Sequence, residues 1–66
     1  MRPNDGEWCY LAVAGESRLK CGIYRTTTGG GHFEDAEDPI YTYLLSMVRW
    51  RRFGENDWHN GMEVTV

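Results

Sequence analysis

The strongest structural signal in the chain lies in residues 38–54, which read DPIYTYLLSMVRWRRFG. Asp38 is a favourable helix N-cap, and Pro39 suits the first helical position, where a backbone N–H is not needed. Gly54 suits the position just after a helix, where a positive φ is common. The pattern therefore predicts a helix over residues 39–53. On a helical wheel its apolar stripe is Ile40, Leu44, Met47 and Val48.

Segments typical of strands flank this predicted helix. Residues 7–14 and 19–28 contain many aromatic and β-branched side chains, and the short turn between them predicts an antiparallel hairpin. Residues 62–66, MEVTV, alternate apolar and polar side chains and predict a third strand. Because glycine loses the most entropy on ordering, Gly29, Gly30 and Gly31 predict a mobile loop that extends to residue 37.

The order of these elements predicts one small α+β domain over residues 1–66. A chain of 66 residues has room for one hydrophobic core. The expected topology is β-β-α-β: a three-stranded antiparallel sheet in the order 2-1-3, with the helix packed on one face. The first strand is expected to lie at the centre of the sheet.

The two cysteines share the odd-numbered parity that faces the predicted core. The expected hairpin register places Cys9 opposite Ile23 and Leu11 opposite Cys21, so the cysteines are diagonal neighbours with Cβ atoms ~7–8 Å apart. A disulfide needs Cβ atoms near ~3.8 Å. We therefore expect two free, buried thiols, as in a reducing compartment.

No pattern in the sequence indicates catalysis, a cofactor or a metal. The glycine run lacks the lysine of a phosphate-binding loop. His32 lies near acidic residues but in a flexible segment, where the fixed geometry of acid–base catalysis is hard to maintain. Cys9, Cys21, His32 and His59 do not form the closely spaced pairs of a zinc site. We therefore expect a protein that is not an enzyme.

An aromatic surface is the first candidate for binding. The expected register places Trp8, Tyr10 and Tyr24 on the sheet face away from the helix, where a small domain has nothing left to cover them. Exposed aromatic clusters are typical interface anchors. The alternative is that these rings cover each other and the stems of Lys20 and Arg25.

An acidic segment is the second candidate. Four acids precede or begin the predicted helix, at Glu34, Asp35, Glu37 and Asp38. Capping of the helix N-terminus explains one or two of them. The others either keep the chain soluble or meet basic side chains of a partner, and both interpretations remain open.

In size and general character, the chain resembles small phage-encoded inhibitors of host defence such as anti-CRISPR proteins. The resemblance implies a protein-binding inhibitor or adaptor that occludes a nucleic-acid-binding surface of a larger complex, in some cases by acidic mimicry. The expected partner is a larger protein with a basic surface. The chain lacks a signal-peptide pattern and a long apolar run, so we expect a cytoplasmic protein, in the host cell if phage-encoded.

Two alternatives use other features. A nucleic-acid-binding module would use Arg18, Lys20, Arg25 and the basic cluster at residues 49–52, although the net charge of −3 makes direct nucleic-acid binding the weaker hypothesis. A homodimer, rather than a monomer, would pair the exposed edges of the second and third strands.

Overall fold

The computed structural model, which describes residues 2–28 and 30–62, is built on a single antiparallel β-sheet. Its six strands lie in the order β4-β3-β2-β1-β5-β6. Among these residues, no helix is long or apolar enough to cross a membrane. The elements in chain order are β1 (Trp8–Val13), β2 (Lys20–Thr27), β3 (Gly30–Asp35), β4 (Thr42–Leu44), a 3₁₀ turn (Leu45–Met47), β5 (Val48–Arg52) and β6 (His59–Asn60).

The predicted α+β fold, with its helix over residues 39–53, is wrong. This segment forms β4, the 3₁₀ turn and β5. In β5 the side chains alternate, with Val48 and Trp50 buried and Arg49 exposed, which is the two-residue period of a strand. The residues typical of helix ends, Asp38 and Gly54, lie at turns instead. The Tyr41 N–H donates to the Asp38 carbonyl at 3.0 Å, and Gly54 adopts a φ of 89° after β5.

The hairpin of β1 and β2 is confirmed, and β1 lies inside the sheet between β2 and β5. The predicted order 2-1-3 is wrong beyond that point, because β2 also pairs with β3 and therefore has no free edge. Of the predicted third strand, Met62 lies in a turn, and residues 63–66 lie outside the described residues.

The glycine run does not form the predicted loop. Gly30 and Gly31 begin β3 and pair with the end of β2. A Cβ atom at Gly31 would collide with the hydroxyl of Tyr24, whose ring lies across the strand. Glycine is needed here because a large ring in the neighbouring strand occupies the space of a side chain.

The observed register of the hairpin differs by one residue from the expected one. Trp8 pairs with Ile23, and Tyr10 pairs with Cys21. A one-residue shift moves a whole strand's side chains to the other face. Cys21 therefore lies on the face of Tyr10, whereas Tyr24 joins Cys9 in the core.

The hydrophobic core lies on one side of the sheet, which we call the inner face. The rings of Phe33 in β3 and Trp50 in β5 have centroids 6.5 Å apart. In a flat sheet these strands, three positions apart, would be separated by ~14 Å. The two rings therefore approach each other across the strands between them. Its buried apolar residues are Cys9, Leu11, Val13, Tyr24, Phe33, Val48 and Trp50.

Candidate functional site: an aromatic outer face

The opposite side of the sheet, the outer face, carries a cluster of large aromatic side chains. Trp8 is 50% exposed, Phe53 is 52% exposed and Trp58 is 37% exposed. The rings of Tyr10 and Phe53 have centroids 4.5 Å apart. One further step of the β1–β5 register places Phe53 opposite Trp8. We call Trp8, Tyr10, Phe53 and Trp58 the aromatic cluster.

Arg51 holds this cluster together. Its guanidinium carbon lies 5.1 Å from the Tyr10 ring centroid and 4.9 Å from that of Trp58. Both distances are within the range of cation–π attraction. Its Nη1 donates to the Glu55 carbonyl at 3.1 Å. Arg51 therefore ties the loop after β5 to strand β1, and this contact positions Trp58.

One nitrogen of the Arg51 guanidinium lacks a hydrogen-bond partner in the described chain. The Nε of Arg51 is buried and has no hydrogen-bond partner among the described residues. A buried unpaired donor costs about 1–3 kcal/mol. The contacts of Arg51 with the Tyr10 and Trp58 rings offset part of that cost.

The strand positions next to the aromatic cluster carry more basic than acidic side chains on the outer face. Strand positions on the outer face carry Arg25, Arg49 and Arg51 against Glu34. Arg25 Nε donates to Glu34 Oε1 at 3.1 Å, and His32 Nε2 lies 4.0 Å from Glu34 Oε2. The three arginines and Glu34 carry a net charge of 3 − 1 = +2, whereas the whole chain carries −3.

The structure separates the four acids expected to form one binding surface. Asp35 is buried, and it accepts hydrogen bonds from the Tyr43 hydroxyl at 2.6 Å and from the backbone N–H groups of Glu37 and Asp38 at 2.8 and 3.2 Å. Glu34 lies on β3 and pairs with Arg25. Only Glu37 and Asp38 of this set are exposed. Of the acidic surface expected from the sequence, only Glu37 and Asp38 are therefore available to a partner.

Tyr24 is also corrected as a contact residue. It is 1% exposed, and its ring meets that of Phe33 edge-on at 5.3 Å. The expected register placed it beside Trp8, and the one-residue shift moves it to the core. Trp8 and Tyr10 lie on the open side of the sheet, as expected from the alternation in β1.

Sequence reasoning missed Phe53 and Trp58 as parts of the site and assigned Arg51 only to the nucleic-acid alternative. The signal for Arg51 and Phe53 was the two-residue alternation of β5, which the helix prediction obscured, whereas Trp58 lies in the loop after β5, outside that pattern. The basic cluster at residues 49–52 is split between the two faces. Arg52 lies on the inner side, where its Nε donates to Glu7 Oε2 at 2.9 Å and its guanidinium lies over Trp50.

The cysteines are free thiols in different surroundings. Burial, reinforced by the Glu7 carboxylate, raises the pKa of Cys9 to about 12, so this thiol is not a nucleophile at neutral pH. Cys21 is half-buried on the outer face, not in the core as expected. Within residues 2–28 and 30–62, no three His, Cys, Asp or Glu residues come together as metal ligands would.

A cleft of about 340 Å³ opens between the ends of β1 and β5. Its ionisable lining side chains in the described chain are Glu16 and Arg49, without a histidine or cysteine beside them. Ser46 also lines the cleft, but its hydroxyl makes no hydrogen bond with Glu16 among the described residues, unlike an activated nucleophile and its base. The outer face is the better candidate for a functional site.

No family model, no curated protein and no solved structure matches this chain. Function is therefore inferred from the chemistry of the outer face. That face combines exposed tryptophan and phenylalanine rings, the half-buried Arg51, which contacts Tyr10 and Trp58, and two further arginines at Arg25 and Arg49.

Proposed function

We propose that this protein is a non-enzymatic binding module, an inhibitor or adaptor, that contacts a larger protein through the aromatic cluster. The supporting observation is that Trp8, Phe53 and Trp58 remain 37–52% exposed on one face. Arg51 contacts the Tyr10 and Trp58 rings, and Phe53 packs on Tyr10. Tryptophan, tyrosine and arginine are the residues most enriched at the energetic centres of protein interfaces.

The packing of the cluster favours binding. Because Arg51 and Phe53 hold Tyr10 and Trp58 in place, these rings lose little conformational freedom when a partner covers them. A preorganised surface binds more tightly because less entropy is lost on association. A partner with an apolar pocket would bury the exposed edges of Trp8 and Phe53.

Occlusion of a partner's functional surface, as the resemblance to anti-CRISPR proteins implies, is retained in this proposal. The contact surface is different from the acidic segment expected from the sequence, because Asp35 is buried and Glu34 is paired with Arg25. Arg49, which is exposed on the face of the cluster, fits an acidic side chain at the rim of the partner's pocket. We therefore propose an apolar partner surface with acidic neighbours, in place of a basic one.

Single-stranded nucleic acid is the second candidate ligand. Exposed rings flanked by arginines are the means by which sheet surfaces stack bases and attract phosphates. The placement of Arg25 and Arg49 on the face of Trp8 favours this candidate. The net charge of −3 favours a protein instead.

The test compares proteins captured from a lysate of the source cells by three baits. These are the wild type, the double variant Trp8→Ser/Phe53→Ser and the control Leu19→Ser, which removes an equally exposed apolar side chain from the β1–β2 turn. We expect a partner that the wild type and the control retain and the double variant loses. Identical captured proteins for all three baits would overturn the proposal.

Two further measurements complete this test. Circular dichroism and thermal unfolding establish that the double variant is folded. Nuclease treatment of the lysate and a salt titration separate the two ligand classes: loss of capture after nuclease treatment, with a steep salt dependence, would replace the protein partner by a nucleic acid.

A further inference from the structure

We propose that the cleft between the ends of β1 and β5 binds a small aliphatic carboxylate, whose anionic group pairs with Arg49 and whose apolar body lies against the aliphatic lining. The cleft, at about 340 Å³, is within the size range of small-molecule sites, which is ~300–1,000 Å³. Its described lining contains no residue of the aromatic cluster, so this inference is independent of the proposed function.

The space in the cleft comes from a small side chain on the outer face of β1. Tyr10 pairs with Arg51, and its ring lies against that guanidinium. Two residues further along β1, Ala12 pairs with Arg49. Because the methyl group of Ala12 replaces a ring at this position, the space beside Arg49 stays open to a ligand.

Arg49 is a cation that the fold leaves without a partner. Arg25 pairs with Glu34, and Arg51 lies between two rings. Among residues 2–28 and 30–62, the exposed side chain of Arg49 has no hydrogen bond, ion pair or ring contact. The planar guanidinium matches a carboxylate, which it binds through two parallel hydrogen bonds.

Two neutral donors line the same cleft. Asn60 pairs with Arg49 on the neighbouring strand. The Asn60 Oδ1 accepts the Met62 N–H at 2.9 Å, so the amide Nδ2 remains available as a donor. Ser46, in the 3₁₀ turn, adds an exposed hydroxyl. One cation and two neutral donors form a set suited to an anion.

The charges around the cleft favour a single negative charge on the ligand. Glu16 also lines the cleft, but Lys20 Nζ lies 3.6 Å from its Oε1 and offsets its charge. With Arg49, these side chains carry 2 − 1 = +1. A carboxylate matches this charge, whereas a phosphate dianion would meet Glu16 without a second basic side chain in the described lining.

The remaining lining is aliphatic and fixed in position. The Ala14 N–H donates to the Met47 carbonyl at 2.8 Å, which holds the end of β1 against the 3₁₀ turn. No aromatic ring belongs to the described lining, whose apolar residues are Ala12, Val13, Ala14, Met47 and Val48. A short aliphatic body therefore fits better than a nucleobase, which sheet surfaces bind by stacking on rings.

NMR titration of the whole protein at constant pH and ionic strength tests the inference, with isovalerate as the probe. We expect saturable shifts at the N–H groups of Ala14 and Met47 and at the Asn60 side-chain amide, with a dissociation constant on the order of millimolar. Isovaleramide, which has the same shape without the charge, and inorganic phosphate are expected to bind at least ~10-fold more weakly.

Variants separate the cation from the cleft. Arg49→Gln is expected to weaken isovalerate binding at least ~10-fold, and Glu16→Gln to strengthen it, because a negative charge is removed. Ala12→Leu keeps Arg49 but fills the space beside it, and it is expected to abolish saturable binding. The matched control is Arg18→Gln, at an exposed arginine outside the described lining, which is expected to bind like the wild type.

The spectrum of each variant without ligand establishes that it is folded, and Arg49→Gln decides the question if Ala12→Leu is not. Shifts that do not saturate, or equal affinity for isovalerate and isovaleramide, would overturn the inference. Phosphate binding as tight as that of isovalerate would overturn the assignment of a carboxylate. Binding that survives Arg49→Gln would also overturn it.

Discussion

The hydroxyl of Tyr43 donates a 2.6 Å hydrogen bond to the carboxylate of Asp35, which joins the last residue of β3 to the middle of β4. The same carboxylate accepts the backbone N–H groups of Glu37 and Asp38. One buried acid thus fixes both the pairing of two strands and the turn between them. A residue that seemed from the sequence to belong to a binding surface is a structural element.

The variant Tyr43→Phe tests the strength of this bond. Loss of a hydrogen bond to a charged acceptor is expected to lower the free energy of unfolding by about 1.5–3 kcal/mol. Urea denaturation measures the change. The control is Tyr41→Phe at an exposed ring, where we expect a change within about 0.5 kcal/mol. Equal effects of the two variants would contradict the role of Asp35.

The same contact makes stability depend on pH. The Tyr43 hydroxyl, followed by the backbone donors, lowers the pKa of Asp35 against the opposing effect of burial, and the bond raises the pKa of Tyr43 to about 12. A lowered pKa in the folded state stabilises the fold above the ordinary aspartate pKa of about 3.9, and this stabilisation is lost as the pH falls through the folded-state pKa.

We therefore expect the stability difference between the wild type and Asp35→Asn to shrink as the pH is lowered from neutral to about 3. Chemical denaturation at several pH values measures it. Asp5 and Glu55, whose pKa values are also lowered, are present in both proteins, so their contribution cancels in the difference. A difference that stays constant with pH would contradict the prediction.

The two thiols are expected to react at very different rates. In the native protein at mildly alkaline pH, an aromatic disulfide reagent should modify Cys21 and spare Cys9, which is fully buried with a raised pKa. Addition of denaturant should expose Cys9, so that the second thiol also reacts with the reagent. Cys21→Ser should remove the native reaction and Cys9→Ser should leave it. Fast modification of Cys9 in the native state would contradict its burial, and a native Cys21 that does not react would contradict the register of β1 and β2.

The variant Arg51→Met tests the positioning of Trp58. Methionine keeps an apolar stem but removes the cation–π contacts to Tyr10 and Trp58, each of which stabilises by about 0.5–1 kcal/mol. We expect greater quenching of tryptophan fluorescence by acrylamide. The matched control is Arg49→Met, at the exposed neighbouring position on the same strand face. Equal quenching in both variants would show that Arg51 does not hold the ring.

Gly31 and Tyr24 are expected to be energetically coupled. Gly31→Ala places a Cβ against the Tyr24 hydroxyl and should destabilise the fold by about 1–3 kcal/mol. Tyr24→Phe should be neutral or stabilising, because this hydroxyl is buried without a hydrogen-bond partner in the described chain. The double variant should recover part of the loss caused by Gly31→Ala, and a double-mutant cycle measures it. Strict additivity would contradict the close approach.

Local alternation in β1 was sufficient to predict its two faces. Cys9, Leu11 and Val13 are buried and Trp8 is exposed, as the two-residue period of the sequence indicates. The hairpin with β2 also followed from sequence, because its turn is short and its residues favour strands. The register did not, because a difference of one residue leaves the local pattern almost unchanged.

The segment of residues 39–53 shows what sequence reasoning lacks. Asp38, Pro39 and Gly54 are typical of helix ends, but each is equally suited to the turns in which they occur. This segment forms strands because β1 and β3, which lie far away in sequence, pair with it. The secondary-structure propensity of a segment carries no information about the distant strands that pair with it.

The amino-acid sequence was enough to predict the outward aromatic residues of β1 and the strand character of its first hairpin. The all-β architecture, the burial of Tyr24 and Asp35, and the meeting of Tyr10, Arg51 and Trp58 depend on tertiary structure. The reason is physical: these features arise from pairing between distant strands, whose free energy belongs to the assembled sheet and not to any one segment.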